Sequence, residues 1–201
     1  MKLIREILYR VDINRVFGNT SLSIEKVEFD SRLVTISDMY VAVNGVNVNG
    51  HDYISQAIEN GATCIICEEM PEDKIDEIVY INVPCSREAL AIICSNYFDN
   101  PSSKLNLIGV TGTNGKTTIT TLLFELYKNL GIKSGLISTV KIVINKDEYE
   151  ANQTTPDSLS INRYLNEMVL KNVRYCFMEV SSHGIDQNRI KGLDFKGGIY
   201  T

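Results

Sequence analysis

Residues 107–118 read Leu-Ile-Gly-Val-Thr-Gly-Thr-Asn-Gly-Lys-Thr-Thr, and this stretch decides the fold of the second half of the chain. An apolar run leads into a turn that contains Gly112 and Gly115, and a helical pattern begins at Lys116. Such a turn directs backbone N–H groups and the positive end of a helix dipole at one place, which suits a phosphate group. Lys116 could reach the outer phosphates of a nucleotide, and the hydroxyl of Thr117 could bind Mg²⁺.

The general phosphate-loop pattern, GxxxxGK[ST], is not fully met. Its first glycine falls at Val110, and the nearest glycines are Gly109 and Gly112. An ordinary strand–turn–helix with a chance Gly-Lys-Thr is the alternative. We favour a nucleotide site because the strand, the turn, the Lys-Thr pair and the helix all agree.

The rest of the chain has the alternating strands and helices of an α/β protein. Predicted strands cover residues 22–29, 39–43, 63–67, 78–83, 105–110, 134–138, 141–144, 174–180 and the beginning of a strand at 197–201. Predicted helices cover residues 52–60, 116–130 and 159–172, and a further one begins at 86. A polar, proline-containing segment at 99–103 predicts a domain boundary near residue 101. We therefore predict a mixed α/β domain at 1–101, followed by a domain at 102–201 with a parallel, doubly wound sheet.

Composition excludes several classes of protein. Of the 201 residues, 44% are hydrophobic and 22% are charged, as in ordinary globular proteins. The net charge of −5 argues against a nucleic-acid binder, whose surface would be basic. No run of about 18 apolar residues is present that could span a membrane. We expect a cytoplasmic protein that binds neither nucleic acid nor membranes.

The five cysteines are scattered and odd in number, which favours a reducing compartment. Cys64 and Cys67 form a CxxC pair, but both lie in a predicted buried strand, where residues three apart point to opposite faces. No second cysteine or histidine pair completes a zinc site. We predict that this pair is structural and binds no metal.

The phosphate-loop sequence Thr-Gly-Thr-Asn-Gly-Lys-Thr-Thr resembles that of the Mur ligases and their folylpolyglutamate synthetase relatives. Four further stretches resemble the Mur ligase that adds the third residue of the peptidoglycan stem. Residues 179–189 read Glu-Val-Ser-Ser-His-Gly-Ile-Asp-Gln-Asn-Arg, and residues 154–156 read Thr-Thr-Pro. In the first half, residues 29–32 and 46–51 resemble the uridine-nucleotide loops of the same enzymes. The resemblance covers essentially the whole chain, in the order of the family.

The resemblance implies a set of functional residues. The first domain would bind the uridine nucleotide of a UDP-sugar, and the second would bind ATP and Mg²⁺. The implied ATP-binding residues are Gly112, Thr113, Asn114, Gly115, Lys116, Thr117 and Thr118, with Mg²⁺ held by Thr117 and Glu179 and with Lys116 and Glu179 as catalytic residues. The implied substrate-binding residues are Phe29, Ser31, Val46, Asn47 and Val48 toward the uridine, and Gln153, Thr154, Thr155, Ser181, Gln187 and Arg189 toward the muramoyl dipeptide.

Glu179 also has a case from the residues alone. It ends the apolar run Tyr-Cys-Phe-Met-Glu of residues 175–179, where a carboxylate is costly to bury without a partner. Parallel strands end at the ligand crevice beside a phosphate loop, so a metal ligand is favoured over a buried structural Glu. For Ser31, the end of a strand remains an equally good interpretation. For Thr154 and Thr155, a solvated loop does.

Two substitutions depart from the family pattern. Gln153 stands where the family often has Asn, which keeps the amide but lengthens the side chain by one methylene. Asn49 replaces an Asp that often precedes the glycine. Segments that follow in the family, including a whole domain for the incoming amino acid, are not in these 201 residues. We expect a fragment, or a chain that finds its other half elsewhere, because a sheet ending in a fresh strand would have an unpaired edge.

The implied reaction is ATP-dependent amide-bond formation through an acyl phosphate, with lysine or diaminopimelate as the amine. We expect the 201 residues to bind ligands but to turn over poorly. Within the enzymes, the alternatives are another Mur ligase, disfavoured by residues 179–189, and folylpolyglutamate synthetase, which has no use for a UDP-binding half. A phosphotransferase or GTPase and a non-catalytic UDP-sugar-binding relic are the alternatives from other classes.

Overall fold

The computed structural model describes residues 1–45 and 48–201, which divide into two compact units, Met1–Tyr97 and Phe98–Thr201. The predicted boundary at residue 101 lies a few residues beyond this division. Among the described residues, no helix has the length and apolar character that crossing a membrane requires.

The first unit is built on a five-stranded sheet with the order β2-β7-β6-β5-β4. Strands β4 to β7 are parallel, and β2 pairs antiparallel with β7 at one edge. A separate antiparallel pair, β1 with β3, lies near the N-terminus. The elements are β1 (Lys2–Leu3), α1 (Ile4–Ile7), β2 (Arg15–Phe17), β3 (Ser23–Ile24), β4 (Val27–Glu28), β5 (Asp38–Val41), α2 (Ile54–Glu59), β6 (Ala62–Cys67), β7 (Val79–Asn82) and α3 (Ser86–Tyr97), with 3-10 helices at Ser31–Leu33 and Gly50–Tyr53.

The prediction of one strand over 22–29 is wrong, because the chain bends at Glu25 and forms β3 and β4 in two different sheets. Ile24 and Val27 are both buried. Residues three apart on a continuous strand would point to opposite faces, so the bend lets both reach the core. The predicted helix over 52–60 is also shorter than expected. Its first turn belongs to the 3-10 helix, and α2 begins only at Ile54.

The second unit is built on a six-stranded sheet with the order β11-β10-β9-β12-β8-β13. The four strands β9, β12, β8 and β13 are parallel, as predicted for a doubly wound sheet. The prediction did not foresee that β10 and β11 continue the sheet as antiparallel strands. The elements are β8 (Asn106–Thr111), α4 (Lys116–Asn129), β9 (Ser134–Ile137), β10 (Lys141–Ile144), β11 (Asp147–Glu150), α5 (Ser158–Leu170), β12 (Tyr175–Glu179), α6 (Ser182–Asp186) and β13 (Phe195–Tyr200), with a 3-10 helix at Pro101–Lys104.

Alternating side chains give this sheet a hydrophobic core on each face. Phe177 of β12 packs in one cluster with Phe124 of α4. Its neighbours Cys176 and Met178 pack in the other cluster, with Leu165 of α5. Since successive residues of a strand point to opposite faces, β12 can bind a helix on both sides. The parallel strands of this sheet are therefore packed on both faces. The predicted ATP-binding residues and Glu179 lie at the carboxyl ends of these strands.

Candidate functional site

The phosphate loop, residues 112–118, connects the end of β8 with the start of α4. Gly112 and Gly115 have φ of +139° and +81°, a backbone region that side chains rarely tolerate. A Cβ at Gly112 would lie 1.9 Å from the carbonyl oxygen of Thr201, so close packing also requires glycine there. No side chain caps α4, whose N-cap is Gly115. The first N–H groups of this helix are thus left without a side-chain partner, as anion binding requires.

Lys116 points back over the phosphate loop. Its ammonium Nζ donates a hydrogen bond to the carbonyl oxygen of Gly112 at 2.8 Å. The side chain therefore reaches across the bend between strand and helix and does not extend into solvent. This is the position from which an ammonium could meet a phosphate in the same bend.

Glu179 ends β12 and pairs in register with Val110, directly before the phosphate loop. Its carboxylate is buried, and both of its oxygens have partners. The backbone N–H of Thr139 donates to Oε1 and the hydroxyl of Thr139 to Oε2, each at 3.0 Å. Among the described residues, no hydrogen bond joins Glu179 to Thr117. The two predicted metal ligands, Glu179 and Thr117, thus lie at the same end of the parallel strands but are not hydrogen-bonded to each other.

The substrate loop, residues 153–155, is held by Arg189. The guanidinium donates to the side-chain oxygen of Gln153 and to the backbone oxygen of Thr155. It also donates to Gln187 Oε1 at 2.7 Å from Nη2 and at 3.2 Å from Nε. Planar fork geometry lets one Arg bind several oxygens at once. Arg189 therefore joins Gln187, its near neighbour in sequence, to Gln153 and Thr155 of the substrate loop, and all four are predicted substrate-binding residues.

Thr155 connects the substrate loop to the end of β12. Its hydroxyl donates to the backbone oxygen of Glu179 at 3.1 Å and accepts from the N–H of Ser181 at 2.9 Å. The hydroxyl of Thr154 lies 3.1 Å from that of Thr139. The longer side chain of Gln153 accepts a hydrogen bond from Arg189.

In the first unit, a cavity of about 560 Å³ contains three of the predicted uridine-binding residues, Phe29, Ser31 and Val48. The hydroxyl of Ser31 donates to Gln56 Oε1 at 2.7 Å. The other two predicted residues of this group, Val46 and Asn47, lie outside the described residues. The cavity is lined by Phe29, Asp30, Ser31, Arg32, Tyr40, Val43, Gly45, Val48, Gly50, Tyr53 and Gln56.

Charged and phenolic groups shape this cavity. Arg32 forms an ion pair with Asp30 at 2.6 Å, and its hydrogen bonding holds the pKa of that carboxyl below the ordinary value. Burial raises the pKa of Tyr40 to about 12, so its hydroxyl stays protonated and donates to the backbone oxygen of Gly50 at 2.9 Å. The cavity therefore has an apolar wall and a few fixed polar groups, as small-molecule sites commonly do.

Sequence reasoning missed Thr139, Tyr40 and Gln56. For Thr139 a signal exists only once the strand order is known, because it follows β9, the strand beside β12 in the parallel sheet. Residues just after neighbouring parallel strands meet at one edge. The prediction that Cys64 and Cys67 lie in a buried strand is confirmed, because both are buried in β6.

Comparisons with known proteins agree with this arrangement. Residues 23–98 match the family pattern described as "Mur ligase family, catalytic domain", and residues 110–201 match "Mur ligase middle domain". UDP-N-acetylmuramoyl-L-alanyl-D-glutamate–2,6-diaminopimelate ligase of Cytophaga hutchinsonii is 47% identical over 199 residues, covering 98% of this chain and 41% of that protein. The chain spans about two fifths of the length of the curated relatives it matches.

Two solved structures share the fold. One is a UDP-N-acetylmuramoyl-L-alanyl-D-glutamate–2,6-diaminopimelate ligase, which superposes with a TM-score of 0.79 at 22% identity, over 100% of this chain and 40% of its own. The other is the MurF ligase of Thermotoga maritima in complex with ADP, with a TM-score of 0.55 at 25% identity, over 85% of this chain and 36% of its own. The two matched patterns, the identity along the chain and the shared fold together show that this chain belongs to the Mur ligase family.

Proposed function

We propose that this chain forms the uridine-nucleotide-binding and ATP-binding parts of a ligase that adds the third amino acid to UDP-N-acetylmuramoyl-L-Ala-D-Glu. One observation carries the proposal. The phosphate loop, the buried carboxylate of Glu179 and the substrate loop held by Arg189 lie at the carboxyl ends of β8, β9 and β12. In open parallel sheets this edge is where ligands bind. The first unit would supply the UDP-sugar site and the second the ATP site.

The donor groups at this edge fit Mg²⁺. The cation prefers oxygen ligands, and beside a nucleotide it commonly takes one or two protein groups together with phosphates and waters. One buried carboxylate, Glu179, and one hydroxyl, Thr117, at the start of an uncapped helix match that donor set. When bound, Mg²⁺ would offset the negative charge that grows on a transferred phosphoryl group.

Phosphate binding would rest on the phosphate loop. Its glycines allow the backbone to approach the anion, and the N–H groups at the start of α4 are not occupied by a capping side chain. Lys116 would exchange its hydrogen bond with Gly112 for one with an outer phosphate. An ammonium in that place stabilises charge in the transition state while doing no covalent chemistry.

The acceptor substrate would bind in two places. Phe29, Ser31 and Val48 line the cavity proposed for the uridine end, and Val46 and Asn47 are proposed to complete it. The dipeptide end would be held by the second unit, through Gln153, Thr154, Thr155, Ser181, Gln187 and Arg189. A carboxylate is the natural partner of the Arg189 guanidinium. These residues would orient the reacting carboxylate toward the nucleotide.

Two steps follow from this placement. An oxygen of the substrate carboxylate attacks the γ-phosphorus of ATP, the bond to ADP breaks, and an acyl phosphate forms. The amine of the incoming amino acid then attacks the acyl carbon, and inorganic phosphate leaves as the amide bond forms. The names of the relatives support diaminopimelate as that amino acid. Because the chain spans about two fifths of those relatives, we assign ligand binding in the cytoplasm to it and turnover to a longer protein.

Titration calorimetry tests the proposal. ATP with Mg²⁺ and the UDP-muramoyl dipeptide should each bind the wild-type chain. Lys116→Ala should lower the affinity for ATP by at least tenfold and leave the affinity for the dipeptide unchanged, since a hydrogen bond to a charged group contributes about 1.5–3 kcal/mol. Lys128→Ala, near the other end of the same helix, is the matched control and should bind as wild type. Dipeptide binding without ATP binding would favour a non-catalytic UDP-sugar module. ATP binding without dipeptide binding would favour a phosphotransferase.

A further inference from the structure

We propose that Thr139 is a positioning residue that couples the substrate loop to the carboxylate of Glu179. The inference rests on the function proposed above, in which Glu179 faces the metal and the substrate loop faces the dipeptide. Thr139 follows β9, and Glu179 ends β12, its parallel neighbour in the sheet. Thr139 lies in the short turn between β9 and β10, so its position at the crevice is set by the two paired strands on either side of it.

Thr139 binds both oxygens of the Glu179 carboxylate. Its N–H and its hydroxyl lie 3.0 Å from Oε1 and Oε2, respectively. Glu179 is only 1% exposed, so these two bonds replace much of the water that an exposed carboxylate would have. Two bonds from one residue fix the plane of the carboxylate. The remaining lone pairs are the ones available to a cation.

The direction of the next hydrogen bond follows from the chemistry of the carboxylate. A carboxylate accepts and cannot donate, so the hydroxyl proton of Thr139 goes to Glu179. The hydroxyl oxygen of Thr154 lies 3.1 Å from that of Thr139. Because the proton of Thr139 is already donated to Glu179, Thr154 must donate the hydrogen bond between the two hydroxyls. The result is a directed chain from Thr154 through Thr139 to Glu179. Each bond in such a chain polarises the next one.

A second connection reaches Glu179 through its backbone. Thr155 donates to the carbonyl oxygen of Glu179 at 3.1 Å and is itself held by Ser181 and Arg189. The substrate loop thus contacts the side chain of Glu179 through Thr139 and its backbone directly. A dipeptide that orders this loop would also order the metal-facing carboxylate. By linkage, bound Mg²⁺–nucleotide would tighten dipeptide binding by the same factor.

The test compares Thr139→Val with Thr139→Ser. Valine has nearly the same shape and keeps the N–H bond to Glu179, but it lacks the hydroxyl that joins Thr154 to the carboxylate. Serine keeps that hydroxyl. Calorimetry would measure the affinity for Mg²⁺ with a non-hydrolysable ATP analogue, with and without saturating UDP-muramoyl dipeptide. Thr121→Val on α4 is the matched control for a lost threonine hydroxyl away from the crevice.

We expect the dipeptide to tighten Mg²⁺–analogue binding by about fivefold or more in the wild type, in Thr139→Ser and in Thr121→Val. In Thr139→Val that factor should fall to about one, and analogue binding should weaken by roughly tenfold, the usual effect of one hydrogen bond to a charged group. Thr139→Ala also keeps the N–H bond to Glu179 and lacks the hydroxyl, and its smaller side chain needs no additional space. It should lose the coupling as Thr139→Val does, and it gives an answer even if Thr139→Val does not fold.

The outcomes separate the two proposals. If the wild type binds both ligands and Thr139→Val or Thr139→Ala retains the full coupling, the role of Thr139 is wrong and the proposed function stands. Loss of coupling in Thr121→Val as well would also overturn the role, because the effect would not be specific to the crevice. If the wild type binds neither ligand, the proposed function falls, and this inference falls with it.

Discussion

Replacing Arg189 by lysine should loosen the substrate loop without unfolding the second unit. The guanidinium makes four hydrogen bonds to three oxygens, which belong to Gln153, Thr155 and Gln187. A lysine ammonium is a single point and lacks the planar fork that binds several oxygens at fixed positions. We expect Arg189→Lys to keep one of the three acceptors and to lose the other two.

The size of the effect follows from those two lost acceptors. A typical hydrogen bond contributes about 1 kcal/mol net, and Arg189 is partly exposed, so the loss should be about 2 kcal/mol. Since about 1.4 kcal/mol corresponds to a factor of ten, the loop should open roughly 30-fold more often. The N–H of Ser181 reports this opening, because it donates to the hydroxyl of Thr155 in the closed loop.

Native-state hydrogen exchange at Ser181 measures the opening directly. Protection of this amide should fall by roughly 30-fold in Arg189→Lys, while amides in β12, such as that of Phe177, should exchange at nearly the wild-type rate. Arg163→Lys, an exposed change on α5, is the matched control. Unchanged protection of Ser181 in Arg189→Lys would refute the reasoning, and so would an equal loss in Arg163→Lys.

Three further predictions follow from packing and burial. Phe177→Ala should lower the free energy of unfolding of the second unit by about 3–5 kcal/mol, measured by urea titration, because a buried aromatic side chain leaves a cavity. Gly112→Ala should abolish ATP binding in calorimetry, since its Cβ would overlap the carbonyl oxygen of Thr201 in a backbone conformation that alanine avoids. Burial raises the pKa of the Cys64 and Cys176 thiols, so their thiolate fraction at pH 8 is lower than that of an exposed cysteine. Iodoacetamide should therefore modify both only after urea is added. Rapid modification in native buffer would contradict their burial.

The fold of the second unit was predictable because its signals are local and agree with each other. The apolar run, the glycines and the helix that starts at Lys116 all lie within a dozen consecutive residues. The observed strand β8 and helix α4 begin and end within one residue of the predicted bounds. The parallel direction of β8, β9 and β12 then follows from the alternation of strands and helices, whereas the adjacency of β8 and β12 does not.

Other features depend on contacts that no local pattern encodes. The bend at Glu25 lets Ile24 and Val27 both be buried while β3 and β4 pair in different sheets, and the alternation of 22–29 does not contain that information. Thr139 was missed for a similar reason. It has no apolar or glycine signature, and its importance comes from Glu179, which is 40 residues away along the chain. Hydrogen bonds between the ends of neighbouring strands become visible only once the strand order is known.

If the phosphate loop binds a nucleotide as proposed, the hydrogen bond from Lys116 to Gly112 would make that binding an exchange reaction. An incoming anion would have to displace the carbonyl oxygen that already accepts from the ammonium, so the net free energy gained would be the difference between two hydrogen bonds. A small anion that contacts the ammonium alone would gain little from this exchange. A ligand with a chain of phosphates would also reach the N–H groups of α4 and gain from several contacts together. The loop would thereby discriminate against abundant inorganic ions.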